Sequence, residues 1–191
     1  MATNLTTAEI NIINQELWAR AMENGVKGAA EFMEYDKTPC TIDDLRTPLN
    51  RWDKRFLALA LVVSGWSKGP STKCGAVITR GNHIISLGFN GFPMLVNDDE
   101  SRYNDRDLKL QMILHAEVNA ILFAKESLGR CTIYTQPFPP CCRCAAMIIQ
   151  SGIKKVIAPR PDDKKLERWG KELEISRLMY SDAGVKLMEV F

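Results

Sequence analysis

His115, Glu117, Cys141 and Cys144 are the residues whose types and spacing could carry chemistry. Cys141-Cys142-Arg143-Cys144 has the Cys-x-x-Cys spacing at which two thiolates turn onto one ion. Alone it fits either a zinc half-site or a redox dithiol. A histidine nitrogen added to two thiolates leaves one position of a tetrahedral zinc open, which separates a catalytic site from a closed structural one. Water in that position is acidified enough to supply hydroxide near neutral pH. Glu117 follows His115 by two residues, about 200° around a helix of 3.6 residues per turn. It need not bind the same ion and is free to shuttle protons. A helix beginning near Cys141 would favour both thiolates through its exposed N–H groups and dipole.

These groups need elements to position them. Leu110, Ile113, Leu114, Val118, Ile121 and Leu122 predict one helix over residues 108–125, with His115-Ala116-Glu117 on its early turns. A strand over 131–135 and the proline-broken loop Pro137-Phe138-Pro139-Pro140 lead to a helix over 142–150. Upstream, residues 52–66 read as a helix apolar on most sides and therefore buried. Strands over 75–79 and 83–89 flank the hairpin connection Arg80-Gly81-Asn82, and the polar stretch 97–107 reads as loop. A strand over 155–158, a helix from Asp162 or Asp163 to about Tyr180, and a strand over 185–190 close the chain. Helices alternating with strands in this order indicate an α/β layered domain. Residues 6–35 read as a separate amphipathic helix, with a capping box at Thr6 and Glu9, and 37–50 as linker. The organisation is thus an N-terminal helical extension over 1–49 and a domain over 50–191.

Composition narrows the classes of function. The chain has 191 residues, 46% hydrophobic and 25% charged, enough for one domain with a real core. Its 25 basic and 23 acidic residues leave a net charge of +2, no field for a polynucleotide backbone, so nucleic acid is not an expected partner. The longest apolar run, residues 56–63, falls far short of the ~20 needed to span a bilayer. Met1-Ala2-Thr3-Asn4 shows no basic region leading into an apolar one, so no signal peptide is visible and a cytoplasmic location is expected. Of the other cysteines, Cys74 and Cys131 sit in apolar stretches and read as small buried hydrophobes, while Cys40 has no assigned role. His83, in a strand beside a turn, reads as ordinary.

His-x-Glu on a helix, a strand, then Pro-Cys-x-x-Cys opening another helix is the pattern of the zinc deaminases. The segments His115-Ala-Glu-Val-Asn-Ala-Ile-Leu, Pro140-Cys-Cys-Arg-Cys-Ala and Ile148-Ile-Gln-Ser-Gly-Ile resemble the cytidine/deoxycytidylate deaminase superfamily. Ser67-Lys-Gly-Pro-Ser-Thr-Lys-Cys-Gly-Ala-Val and Gly88-Phe-Asn-Gly-Phe-Pro are similar to its deoxycytidylate (dCMP) deaminase branch. The resemblance covers roughly residues 50–160. It implies a three-layer α/β/α cytidine-deaminase-like fold around a central mixed five-stranded sheet. It also implies one catalytic Zn2+ held by His115, Cys141 and Cys144, and hydrolysis of dCMP to dUMP and ammonia, supplying dUMP for thymidylate synthesis. Glu117 would take the proton of the attacking water, deliver it to N3 and help the amine leave. Asn90 would sit near the sugar and Ser67 near the phosphate. The resemblance also implies homo-oligomeric assembly; dCTP and dTTP are candidate effectors, with no residue of the sequence assigned to that regulation.

Other branches differ in readable ways. Riboflavin-pathway deaminases carry a longer insert between their zinc cysteines. The tRNA adenosine deaminases resemble Pro-Cys-x-Met-Cys-Ala, whereas Arg143 stands at the Met position here. Three departures from the dCMP branch stand out: Cys74 in place of a common Val, one extra residue between Tyr134 and Cys141, and no aromatic in Ile157-Ala158-Pro159-Arg160. The last removes an expected stacking surface for the base, so a modified pyrimidine or another nucleobase compound is an alternative substrate. The same zinc pattern would also serve a polynucleotide deaminase or an inert zinc-stabilised binding module.

Overall fold

The computed structural model describes residues 49–190. The helix expected over 6–35 and the linker as far as residue 48 lie outside the described residues. Asn50 starts the first described helix, α1 (Arg51–Ser64). Its side chain accepts from the N–H groups of Trp52 and Asp53 at 2.7 and 2.9 Å, and the Asp53 carboxylate accepts from the Asn50 N–H at 3.1 Å. This reciprocal box satisfies donors that a helix start leaves open. Asp53 also accepts from the Tyr134 hydroxyl at 2.8 Å, tying the helix to the sheet below it.

The chain then forms β1 (Gly75–Arg80), β2 (His83–Phe89), α2 (Glu100–Asn104), α3 (Arg106–Met112), α4 (Ala116–Phe123), β3 (Thr132–Gln136), α5 (Cys142–Gln150), β4 (Lys155–Pro159), α6 (Asp163–Asp182) and β5 (Lys186–Val190). The five strands make one mixed sheet in the order β2-β1-β3-β4-β5. β1 runs antiparallel to β2 and β3, whereas β3, β4 and β5 are parallel. Period-two alternation divides the core between the faces. Val77, Tyr134, Ile157 and Met188 pack with Phe56, Leu57 and Ala60 of α1. Ala76, Ile78, Ile133 and Val156 pack on the other face with Ala116, Ala120, Ala145, Ile148 and Tyr180 of α4, α5 and α6. The three-layer α/β/α fold with a mixed five-stranded sheet is the expected one. Among the described residues no helix is long and apolar enough to cross a membrane.

Three expectations need correction. The stretch 97–107, read as loop, contains α2 and the start of α3. Asp105 caps α3 by accepting from the Leu108 N–H at 3.0 Å, and Tyr103 of α2 stacks on Phe92 with ring centroids 4.3 Å apart. The polar residues that suggested a loop are in part caps. The helix expected over 108–125 is broken at 113–115. There Leu114 leaves helical pairing and exchanges N–H···O bonds of 2.9 and 3.1 Å with Gly91. No Gly or Pro marks that break; a tertiary partner makes it. Finally, α1 is not buried all round, since Leu61 and Val62 are 57% and 59% exposed.

Candidate active site

The break at 113–115 sets the site. His115 becomes the N-cap of α4, with extended backbone at φ −76°, ψ 156°, and Cys141 holds the same position at the start of α5, φ −66°, ψ 168°. Neither side chain caps its own helix. His115 Nδ1 lies 3.2 Å from Cys144 Sγ and 3.6 Å from Cys141 Sγ, and the three donor atoms fall within 4.8 Å of one another. The start of α4 is held in place from the sheet side. A Cβ at Gly88 of β2 would stand 2.2 Å from the Ala116 carbonyl oxygen, so only glycine allows the strand this close. Asn119 of α4 adds a 2.8 Å bond from its amide to the Phe89 carbonyl.

Charge is distributed unevenly among these groups. The Cys144 thiol donates toward Cys141 and, with help from His115 and against the opposing effect of burial, holds the Cys141 thiol down at about 4. That donated hydrogen bond, together with burial and the nearby Glu117, pushes Cys144 up. His115 is raised, chiefly by its hydrogen bond with Cys141. Glu117, in the first turn of α4 and 7% exposed, is raised by burial, with His115 opposing. A buried carboxyl raised in this way holds a proton more readily than an exposed one, as a proton shuttle must.

One nitrogen and two sulfurs match a zinc donor set. Among the described residues the group comprises these three donors, and a zinc ion held by them would keep a position for water. These ligands open on a cavity of about 460 Å³, which His115, Glu117 and Cys141 line together with Cys74 and Asn90.

Asn90 is 7% exposed, and both ends of its amide are engaged. Its oxygen accepts from the Cys74 N–H at 2.7 Å and its nitrogen donates to the Thr72 carbonyl at 3.0 Å. Ser67 is 1% exposed and donates to the Asn90 carbonyl at 2.8 Å, behind the cavity wall rather than along it. The structure therefore brings together His115, Glu117, Cys141, Cys144 and Asn90, with Ser67 supporting Asn90. Cys131 is fully buried in the core, whereas Cys74 is only half-buried and forms part of the cavity wall. His83 is exposed at the hairpin.

Sequence reasoning missed much of the rest of the cavity wall. Tyr103, Arg106 and Lys109 come from α2 and α3, Phe138 from the loop after β3, and Arg168 and Trp169 from α6. The segment after β4 brings no aromatic to the cavity, whereas Phe138 and Trp169 do line it, stacked on each other with centroids 6.1 Å apart. Only the extra residue in the Phe138 loop hinted at this.

Comparison with known proteins gives a consistent assignment. Residues 50–159 match the family model described as the cytidine and deoxycytidylate deaminase zinc-binding region. A deaminase from the luxG 3′ region of Aliivibrio fischeri is 48% identical over 139 residues, 73% of this chain and 93% of that protein. The deoxycytidylate deaminase of Homo sapiens is 36% identical over 141 residues, 70% of this chain and 76% of its own. The crystal structure of dCMP deaminase from cyanophage S-TIM5 in complex with dCMP and dUMP superposes with a TM-score of 0.59 at 22% identity. It covers 75% of this chain and all of the phage chain, and shows a shared fold. With a family match over its catalytic half and a His/Cys/Cys group beside a buried glutamate, the chain belongs to the cytidine and deoxycytidylate deaminase family.

Proposed function

We propose that this protein hydrolyses dCMP to dUMP and ammonia, supplying dUMP for thymidylate synthesis. The observation that carries the reading is a buried glutamate beside a three-donor metal group on the wall of a cavity large enough for a nucleotide. The names of the human relative and of the phage neighbour support the choice of substrate. His115, Cys141 and Cys144 hold one zinc ion, which when bound supplies a water acidic enough to attack the amine-bearing ring carbon. Glu117 accepts a proton, passes it to N3 of the ring and returns one to the departing amine. Its burial keeps that proton from exchanging freely with solvent. Asn90 presents its remaining amide capacity to the sugar, with Ser67 fixing the Asn90 backbone.

Homo-oligomeric assembly accords with apolar side chains left exposed on α1 and α4, among them Leu61, Val62, Leu122 and Phe123. A cytoplasmic location accords with the absence of disulfides among the described cysteines. dCTP and dTTP are candidate effectors for the same assay.

Purified protein, with zinc quantified on the same sample, should release ammonia from dCMP in preference to CMP, dCTP, deoxycytidine and guanine. An untouched dCMP alongside another, deaminated compound would remove the assignment. Glu117→Gln should retain zinc and lose about 10²–10⁴-fold in turnover, the usual worth of general acid–base catalysis. Unchanged turnover would take Glu117 out of the mechanism. A wild-type protein that binds zinc and turns over none of the panel would favour the inert binding module.

A further inference from the structure

One buried polar group has no task in the proposed reaction. Tyr180, in the last turn of α6, is 1% exposed, and its hydroxyl is one of two buried side-chain oxygens with no hydrogen-bond partner among the described residues. An unpaired donor in a core is costly, and a phenylalanine would fill the same space without that cost. The ring belongs to the core cluster that holds Ala116 and Ala120 of α4 and Ala145 and Ile148 of α5. Ala116 stands between His115 and Glu117, and Ala145 follows Cys144, so this cluster is the floor beneath the metal group. Strands β3 and β4 are parallel, and α5 and α6 follow them in turn, so both helices begin at the same end of the sheet. A helical side chain leans toward the start of its own helix, which tilts the Tyr180 phenol toward the end where Cys141 and Cys144 open α5. Burial first, and then the neighbouring Glu117, Cys144 and Cys141, push the phenol up, so the hydroxyl keeps its proton and is a donor.

We propose that Tyr180 is a positioning residue of the metal site, its hydroxyl donating from the core side toward the Cys144 sulfur when that sulfur is coordinated as a thiolate. While the Cys144 thiol donates to Cys141, it carries its own proton and is a poor acceptor. A metal takes cysteine as thiolate, with no proton and with lone pairs to spare. Coordination thus supplies the acceptor that the hydroxyl lacks, and the hydroxyl eases the burial of two thiolates beside Glu117. Donors behind a ligand fix its orientation and tune the metal without touching substrate. α6, which lies beyond the family-matched residues 50–159, gains by this assignment a part in the metal site. The inference rests on the metal reading of His115, Cys141 and Cys144, and not on the choice of substrate.

The test uses the full-length protein and Tyr180→Phe, which removes one oxygen and keeps the ring. Zinc affinity is measured by competition with a chromophoric chelator, and the site is read by the thiolate-to-metal absorption of the cobalt(II)-substituted protein. Tyr180→Phe should bind zinc about 10-fold more weakly, the low end for loss of a group behind a metal ligand, and should shift the cobalt absorption. Chemical denaturation should respond differently in the two metal states. With zinc chelated the variant should be at least as stable as wild type, because the unpaired donor is gone; at equal free zinc it should be less stable. Ile148→Val, a truncation in the same cluster without a polar group, is the control. It should lower stability equally in both states and leave zinc affinity within about twofold. Unchanged zinc affinity and cobalt absorption in Tyr180→Phe, or equal changes of stability with and without zinc, would overturn the assignment. A wild type that binds no zinc would remove this inference together with the metal reading. Tyr180-dependent zinc binding without deamination of dCMP would instead leave this inference standing and remove the proposed reaction.

Discussion

The helices that build the metal group begin differently from the helix that frames the domain. α1 opens on Asn50, whose amide oxygen takes up two backbone N–H groups while Asp53 returns a third bond. α4 and α5 open on His115 and Cys141 in the same extended N-cap conformation, without side-chain capping bonds. At those positions the side chain is directed to the other helix, not back to its own backbone. A capping Asn, Asp or Ser contributes about 1 kcal/mol, and both site helices forgo it. What replaces the cap is tertiary structure: the Gly91–Leu114 bridge ahead of α4, the close approach of Gly88, and packing of Ala116 and Ala145 into the core. A helix start can therefore serve its own helix or a neighbouring site, and position in the fold decides which.

The contrast is broken most severely at Cys141. Cys141→Ser keeps the N-cap geometry and supplies a good capping oxygen, but removes one of two thiolates. Zinc content should fall from one per chain to well below half, and turnover by more than about 10³-fold. A serine variant retaining a full equivalent of zinc would show that Cys141 is not a ligand. Gly88→Ala should come next. Its new Cβ meets the Ala116 carbonyl oxygen at 2.2 Å, a backbone atom that moves only with α4. Overpacking of this kind costs roughly 3 kcal/mol. An ångström of displacement at His115 and Glu117 should also lower kcat by about 10²-fold. Chemical denaturation and dCMP rates on the same preparation separate the two effects, and loss of stability without loss of rate would show that β2 does not position the site.

The same contrast explains what could be read in the sequence. The strands and α5 were legible because their apolar alternation and flanking prolines are local signals, and the strand over 131–135 differs from β3 by one residue at each end. The metal donors were legible because their types are rare and their spacing is chemical. The break before α4 was hidden, since Ile113 and Leu114 continue a helical apolar stripe and the partner that diverts them, Gly91, is distant in sequence. Lys109 and Arg106 were hidden for the opposite reason. In a sequence they are two ordinary charges on a helix, and only the fold reveals that one is buried and meets no acid among the described residues. Arg168 and Trp169 required knowing that α6 returns over the cavity. Asn50 was read as the end of a linker, although Asn-x-x-Asp before an apolar run carries the capping pattern.

Asn50→Ala probes the structural side of the comparison. Losing the cap should destabilise the protein by about 1 kcal/mol while zinc content and kcat on dCMP stay unchanged. A fall in kcat without a change in stability would mean that α1 is coupled to the site and that the division between the two kinds of helix start is wrong.

The smallest effect tests a third kind of helix start. α2 has no side-chain cap at Asp99 and is secured instead by Tyr103, stacked on Phe92 and 6% exposed. Burial, reinforced by a hydrogen bond to Asp98, pushes the Tyr103 phenol up to about 12 from 10.0. A phenol raised on folding binds its proton more tightly in the native state. Its contribution to stability is therefore complete below pH 10 and is lost as pH rises toward 12. Between about pH 9 and pH 11 wild type should lose roughly 1 kcal/mol that Tyr103→Phe does not lose, read as a smaller alkaline drop in denaturation midpoint. Because Tyr103 also lines the cavity, its KM for dCMP is measured alongside. Parallel alkaline losses in both proteins would mean that the phenol is already solvated and that α2 is held by ring packing alone.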